Sequence, residues 1–361
     1  MWDLAVREED YNAVDAMLSR FAKAPLSMRL LPAFARGDSA ARERFIQEAT
    51  NSDSRQSQIG ARYVATFLED LASAESIARL DLAEQRRPPI RLGAQLFLAW
   101  LELARGRWSA GKAAFEEANR MEGASAIEFE RAIAAALPFL EVPRADLGEI
   151  RAEIERWDPG AAAAEPSGGL AVRLRPQLRL YLLSLLSSRL EDDRTAARYA
   201  AALEALPAPV EAGAVTRDLA QTARADIALR NGRAAEALTL LERVQGEVPL
   251  ELVYLKAFAT VREYGQEHAR YLRAEALFAL RRYDEALRWY QTSFQGSPAE
   301  LVYLAPKHLR QGQIFEARGE REKATTHYRH FLALWRRPDP PLGATVSDAR
   351  SRLGKLTGDA P

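Results

Sequence analysis

The run Ala274-Glu275-Ala276-Leu277-Phe278-Ala279-Leu280-Arg281-Arg282-Tyr283-Asp284-Glu285-Ala286-Leu287-Arg288-Trp289-Tyr290 decides the fold class. Its apolar residues recur every three or four positions, stop at Arg281-Arg282, and then resume with the same period. That pattern is two amphipathic helices joined by a tight turn. A second copy runs from Gly312 through Ile314-Phe315, Gly319 and Ala324 to Tyr328. A third runs from Ala225 through Ile227-Ala228, Gly232 and Ala237 to Leu241. In each copy the second helix carries Ala and, four residues on, a large apolar residue: Ala237/Leu241, Ala286/Tyr290 and Ala324/Tyr328.

Composition agrees with an all-α chain. Alanine, the best helix former, supplies roughly one residue in five, and strand-like alternation is hard to find. Lys+Arg and Asp+Glu are both 50, so the 361-residue chain has a formal net charge of zero. A bulk electrostatic grip on nucleic acid is therefore not expected. There is no cysteine, which excludes disulfides, thiolate metal sites and cysteine nucleophiles. The first residues have no basic, apolar leader, and the most apolar stretch, Leu178 to Leu190, is interrupted by Arg179 and Arg189. Neither a signal peptide nor a membrane span is expected, and the cytoplasm is the expected compartment.

The repeated unit resembles the tetratricopeptide repeat, a helix–turn–helix of roughly 34 residues with small residues where its helices cross. The small positions here are Ala225, Ala274 and Gly312 on the first helices, and Ala237, Ala286 and Ala324 on the second. Three positions after the first set come Ala228, Leu277 and Phe315. Small residues let paired helices approach to about 8–10 Å, and bulky ones fill the space between neighbouring hairpins. On this template Gly111 and Phe115 take the Ala and aromatic slots of an earlier copy, and Ala78/Leu82 form a weaker one after a helix near Ile59–Leu71. Residues 26–50, 124–157 and 172–206 keep the helical rhythm without the letters. Asp10–Leu18 reads as a second helix whose first is cut short at Met1. The spacing is irregular, since Ala237, Ala286 and Ala324 lie 49 and 38 positions apart.

The resemblance implies an all-α, tetratricopeptide-like helical-hairpin solenoid, a right-handed superhelix of about nine hairpins. The organisation expected is a degenerate N-terminal half (1–157), a Pro/Gly-rich linker (158–170), a C-terminal repeat half (171–342), and a capping helix and tail (343–361). Residues ~230–356 further resemble the C-terminal repeat region of large bacterial signalling proteins, in which a kinase or DNA-binding domain precedes the repeats.

Candidate chemistry is sparse. Gly106-Arg107-Trp108-Ser109-Ala110-Gly111-Lys112-Ala113 is one residue short of a P-loop, but Ala113 stands where a Mg²⁺-binding hydroxyl is needed, and the segment before it is helical. Ser109 and Lys112 lack the companions of a serine–lysine acylase. His327 and His330 share a helix face but have no third ligand at recognisable spacing, so they read as a surface pair. No catalytic, cofactor or metal residue is therefore expected. The resemblance places partner recognition on the first helices, which line a concave groove for a protein or peptide. The matching positions are Thr222, Asp226, His268, Tyr271, Glu275, Leu309 and Gln313. The expected function is a non-enzymatic interaction scaffold; the alternative is a helical-repeat enzyme or small-ligand receptor with a pocket near 249–268.

Overall fold

The computed structural model describes residues 10–21, 24–51, 55–121, 127–158, 169–247, 249, 265–292 and 298–358. These are helical with no strand among them. The chain divides into two compact units, Met1–Ile127 and Glu128–Pro361. Most of the expected linker, residues 159–168, lies outside the described residues. The helices on either side of it belong to the same unit and pack together, Arg179 donating to the carbonyls of Ile154 and Glu155.

The first unit contains α1 (Tyr11–Leu18), α2 (Leu26–Ala35), α3 (Ser39–Thr50), α4 (Gln56–Phe67), α5 (Leu71–Leu80), α6 (Pro88–Ala104) and α7 (Trp108–Arg120). Here α2/α3, α4/α5 and α6/α7 form successive antiparallel hairpins. The second contains α8 (Ile127–Ala136, starting at the boundary), α9 (Arg144–Arg156), the single turn α10 (Leu170–Arg173), α11 (Arg175–Arg189), α12 (Asp193–Ala205), α13 (Gly213–Arg230) and α14 (Ala234–Leu241). It continues with α15 (Gly265–Ala279), α16 (Tyr283–Gln291), α17 (Leu304–Ala317), α18 (Arg321–Leu334) and α19 (Gly343–Thr357). Its hairpins are α11/α12, α13/α14, α15/α16 and α17/α18. First helix packs on first helix (α11 on α13, α13 on α15), and α19 covers α18 with Val346 and Ala349 buried.

The repeat is defined most sharply by its turn. Each of seven hairpins places one residue in the left-handed region immediately before the first residue of the turn's second half: Gly37, Glu69, Gly106, Glu191, Gly232, Arg281 and Gly319, with φ between 54° and 74°. In six of them the next N–H closes onto the carbonyl five residues back, as Asp38→Ala33, Arg107→Glu102, Asp192→Ser187, Arg233→Ala228, Arg282→Leu277 and Glu320→Phe315. This is the Schellman stop of one helix, and it satisfies carbonyls the helix leaves open. The next helix then starts at once. Asp38, Asp70 and Asp192 accept from the backbone N–H three residues on and so cap it.

The small positions lie where the hairpins are tightest. Ala225, Ala237, Ala274, Ala286 and Ala324 are fully enclosed, as are Leu241, Tyr290 and Tyr328. A Cβ added at Gly312 would stand 2.9 Å from the Tyr328 ring, and one at Gly111 2.7 Å from Leu103. Phe115 fills the α6/α7 crossing, edge-on to Trp100 at 5.6 Å. The P-loop-like run is therefore a hairpin turn, with Gly106 at its left-handed position and Gly111 inside α7.

Candidate functional site

In the second unit the first helices of three successive hairpins turn one face toward a common groove of about 770 Å³. Helix α13 contributes Asp226, Leu229 and Arg230; α15 contributes Tyr271, Leu272 and Glu275; α17 contributes Pro306, Leu309, Arg310 and Gln313. The pairs Asp226/Arg230, Tyr271/Glu275 and Leu309/Gln313 are each one turn apart, which puts both members on one helix face. The remaining walls are Pro138, Phe139 and Glu141 after α8, and Trp335, Leu342, Ala344, Thr345 and Asp348 around the start of α19.

Five of the seven residues marked by sequence, Asp226, Tyr271, Glu275, Leu309 and Gln313, line this groove. Thr222 and His268 do not. Thr222 is enclosed one turn before Asp226, its hydroxyl bonded back to the Asp218 carbonyl at 2.7 Å. His268 is fully buried, with Nδ1 3.2 Å from the Tyr303 hydroxyl. A helix face one turn further along points into the neighbouring hairpin, and sequence spacing alone does not mark that limit.

The rings of Phe139 and Tyr271 are in the lining, and the buried Tyr303 backs them. Phe139, Tyr271 and Tyr303 pack in a mutual cluster with ring centres 5.1–5.3 Å apart. Above it the Arg310 guanidinium meets the Glu275 carboxylate through two bonds, Nε–Oε1 at 2.9 Å and Nη2–Oε2 at 2.8 Å, while the Tyr290 hydroxyl donates to the same carboxylate. Burial pushes the phenols of Tyr271 and Tyr290 well above their ordinary 10, and the Glu275 charge pushes the same way, so both are neutral donors. Burial alone would ease Arg310 toward deprotonation. Its pairing with Glu275 overrides that and keeps it cationic.

Asp226 is held from below. Its Oδ2 accepts from the Ser188 hydroxyl at 2.8 Å, and its Oδ1 lies 3.8 Å from His268 Nε2. The Ser188 hydroxyl and the His268 imidazole thus face the two oxygens of one carboxylate. The groove lining as a whole carries four carboxylates (Glu141, Asp226, Glu275, Asp348) against two guanidinium groups (Arg230, Arg310). Glu275 is matched by Arg310, and Asp348 by Arg352 at 2.7 Å.

The alternative pocket near 249–268 falls largely on residues 250–264, outside the described residues. Phe139, Glu141 and Trp335 were not marked by sequence because they lie on connections and carry no repeat position. Among the described residues no helix is long and apolar enough to cross a membrane.

No protein-family model matches the chain, and no curated protein matches it. Five chains of solved structures do. One of them, described as "Crystal structure of APC/C hetero-tetramer Cut9-Hcn1", is 10% identical, with a TM-score of 0.25, over 99% of this chain and 82% of that one. Likeness at that level supports neither register nor function.

Proposed function

We propose that the protein is a non-enzymatic interaction scaffold whose second unit binds an extended protein segment in the α13/α15/α17 groove. The observation that carries this reading is the convergence of three equivalent helix faces on one groove with aromatic rings in its lining and an excess of carboxylates. Phe139 and Tyr271 offer apolar and π contact, and the exposed Glu141 carboxylate favours a segment bearing Lys or Arg. On the same reading the chain is a cytoplasmic, repeat-bearing part of a bacterial signalling protein, which rests on the resemblance of residues ~230–356 alone.

Panning a random peptide library on the purified chain tests the site. Enriched peptides should be basic, should bind more weakly as salt rises, and should lose at least about tenfold in affinity to a Glu141→Lys/Gln313→Lys variant, because like charge would then face the ligand. Peptides that bind this variant as well as the parent would remove the groove from consideration.

A further inference from the structure

A second cavity of the same unit, about 250 Å³, shares no residue with the groove. It lies on the flank of α15 opposite Tyr271 and Glu275, between the end of α14 and α16. Leu241, Val244, Ala269 and Trp289 form its apolar wall, and Arg270 and Arg273, one turn apart on α15, bring its charge. Among the described residues no carboxylate lines it. The Arg273 guanidinium lies over the Trp289 ring, 4.2 Å from its centre, which holds the planar fork in one orientation. Its Nε is buried and has no hydrogen-bond partner among the described residues. Burial is the main influence on this group and acts to lower it, while Glu242 and Glu285 act the other way. Glu285 is already taken by Arg282 through two bonds of 2.7 Å, and Glu242 is exposed. A guanidinium keeps its proton at neutral pH, so the cavity holds a cation with a donor left open.

We propose that this cavity binds a small monocarboxylate with an apolar body, its carboxylate on Arg273 and its hydrocarbon against Leu241, Val244 and Ala269. Pockets for drug-sized ligands measure roughly 300–1,000 Å³, so a cavity of this size takes a smaller molecule. The edge of a guanidinium matches a carboxylate or a phosphate equally well. What separates the two is the rest of the lining. A phosphate calls for further donors, and the backbone N–H groups at the rim, those of Gln245 and Gly246, already donate to Asp218 at 3.0 and 2.8 Å. The remaining wall is apolar, which favours a hydrocarbon body over a strongly hydrated dianion. Those same two bonds tie the turn after α14 to α13 and so fix the wall that carries Val244. The site stands apart from the proposed scaffold role.

NMR titration of the ¹⁵N-labelled full chain with benzoate and with hexanoate is the test, with benzamide and inorganic phosphate as control probes. At least one of the two carboxylates should saturably shift the Arg273 Nε–H and Trp289 indole N–H signals, identified by their loss in Arg273→Lys and Trp289→Phe. Benzamide and phosphate should bind at least about tenfold more weakly. Arg273→Gln, which removes the fork, and Val244→Trp, which fills the cavity without changing charge, should each weaken carboxylate binding at least about tenfold. The titration of the parent chain decides the matter even where a variant fails to fold. Failure of both carboxylates to saturate these two signals, benzamide binding as tightly as benzoate, or phosphate binding more tightly than either would overturn the proposal.

Discussion

Gly312 shows how much a single atom matters at a helix crossing. Alanine is the better helix former by about 1 kcal/mol, yet its methyl would press on the Tyr328 ring, and overpacking costs about 1–3 kcal/mol. Packing wins, so Gly312→Ala should lower stability in chemical denaturation. Gly148, inside α9 with nothing within 4 Å of an added Cβ, isolates the propensity term. Gly148→Ala should raise stability by about 0.5–1 kcal/mol, and equal effects at the two sites would show that the crossing is looser than described. The sequence marked Gly312 as a small position from its place in the repeat. It did not identify Tyr328 as the wall that makes the position intolerant.

At the scale of the element, the hairpin turn is the conserved geometry within the chain, and three of its seven left-handed positions carry a side chain. A non-glycine residue there costs about 1–2 kcal/mol, partly offset by the lower entropy of its unfolded state. Arg281→Gly and Glu191→Gly are therefore expected to stabilise by about 0.5–1 kcal/mol, and Gly232→Ala to destabilise by about 1–2 kcal/mol, both read from denaturation midpoints. Hairpins also lean on ion pairs. Glu267 and Lys307 form a pair that is almost fully buried, between α15 and α17. Lys307→Met should cost about 3–5 kcal/mol by stranding the carboxylate, and adding Glu267→Met should recover most of it. A double variant no better than the single one would locate the loss in packing.

In the first unit, Glu75 on α5 is gripped by Arg79 and by Arg105, which follows α6. Burial acts to raise the Glu75 carboxyl, but the two arginines outweigh it and hold it below its ordinary 4.5. A carboxylate held low in the folded state contributes stability above its unfolded value that disappears as pH falls through the folded one. Glu75→Gln should thus lower the midpoint at neutral pH, with the gap to the parent closing in acid below pH 4.5. A gap that persists unchanged into acid would assign the effect to shape and not to charge.

At the scale of the whole molecule, the chain comprises two compact units, and every residue lining the groove belongs to the second. A fragment spanning residues 127–361 should therefore unfold cooperatively and retain peptide binding. A fragment that is helical but non-cooperative would mean the unit needs the rest of the chain.

The sequence by itself determined the helices, their pairing and the small positions at the crossings. Period, turn and cap signals are short-range, and each lies within about forty residues of chain. Tertiary structure alone decided what those helix faces meet. Phe139, Tyr271 and Trp335 meet around one groove, and His308 reaches His327 and His330 across a hairpin. Packing of amphipathic faces sets those distances, and no local pattern along the chain encodes which residue ends up opposite which.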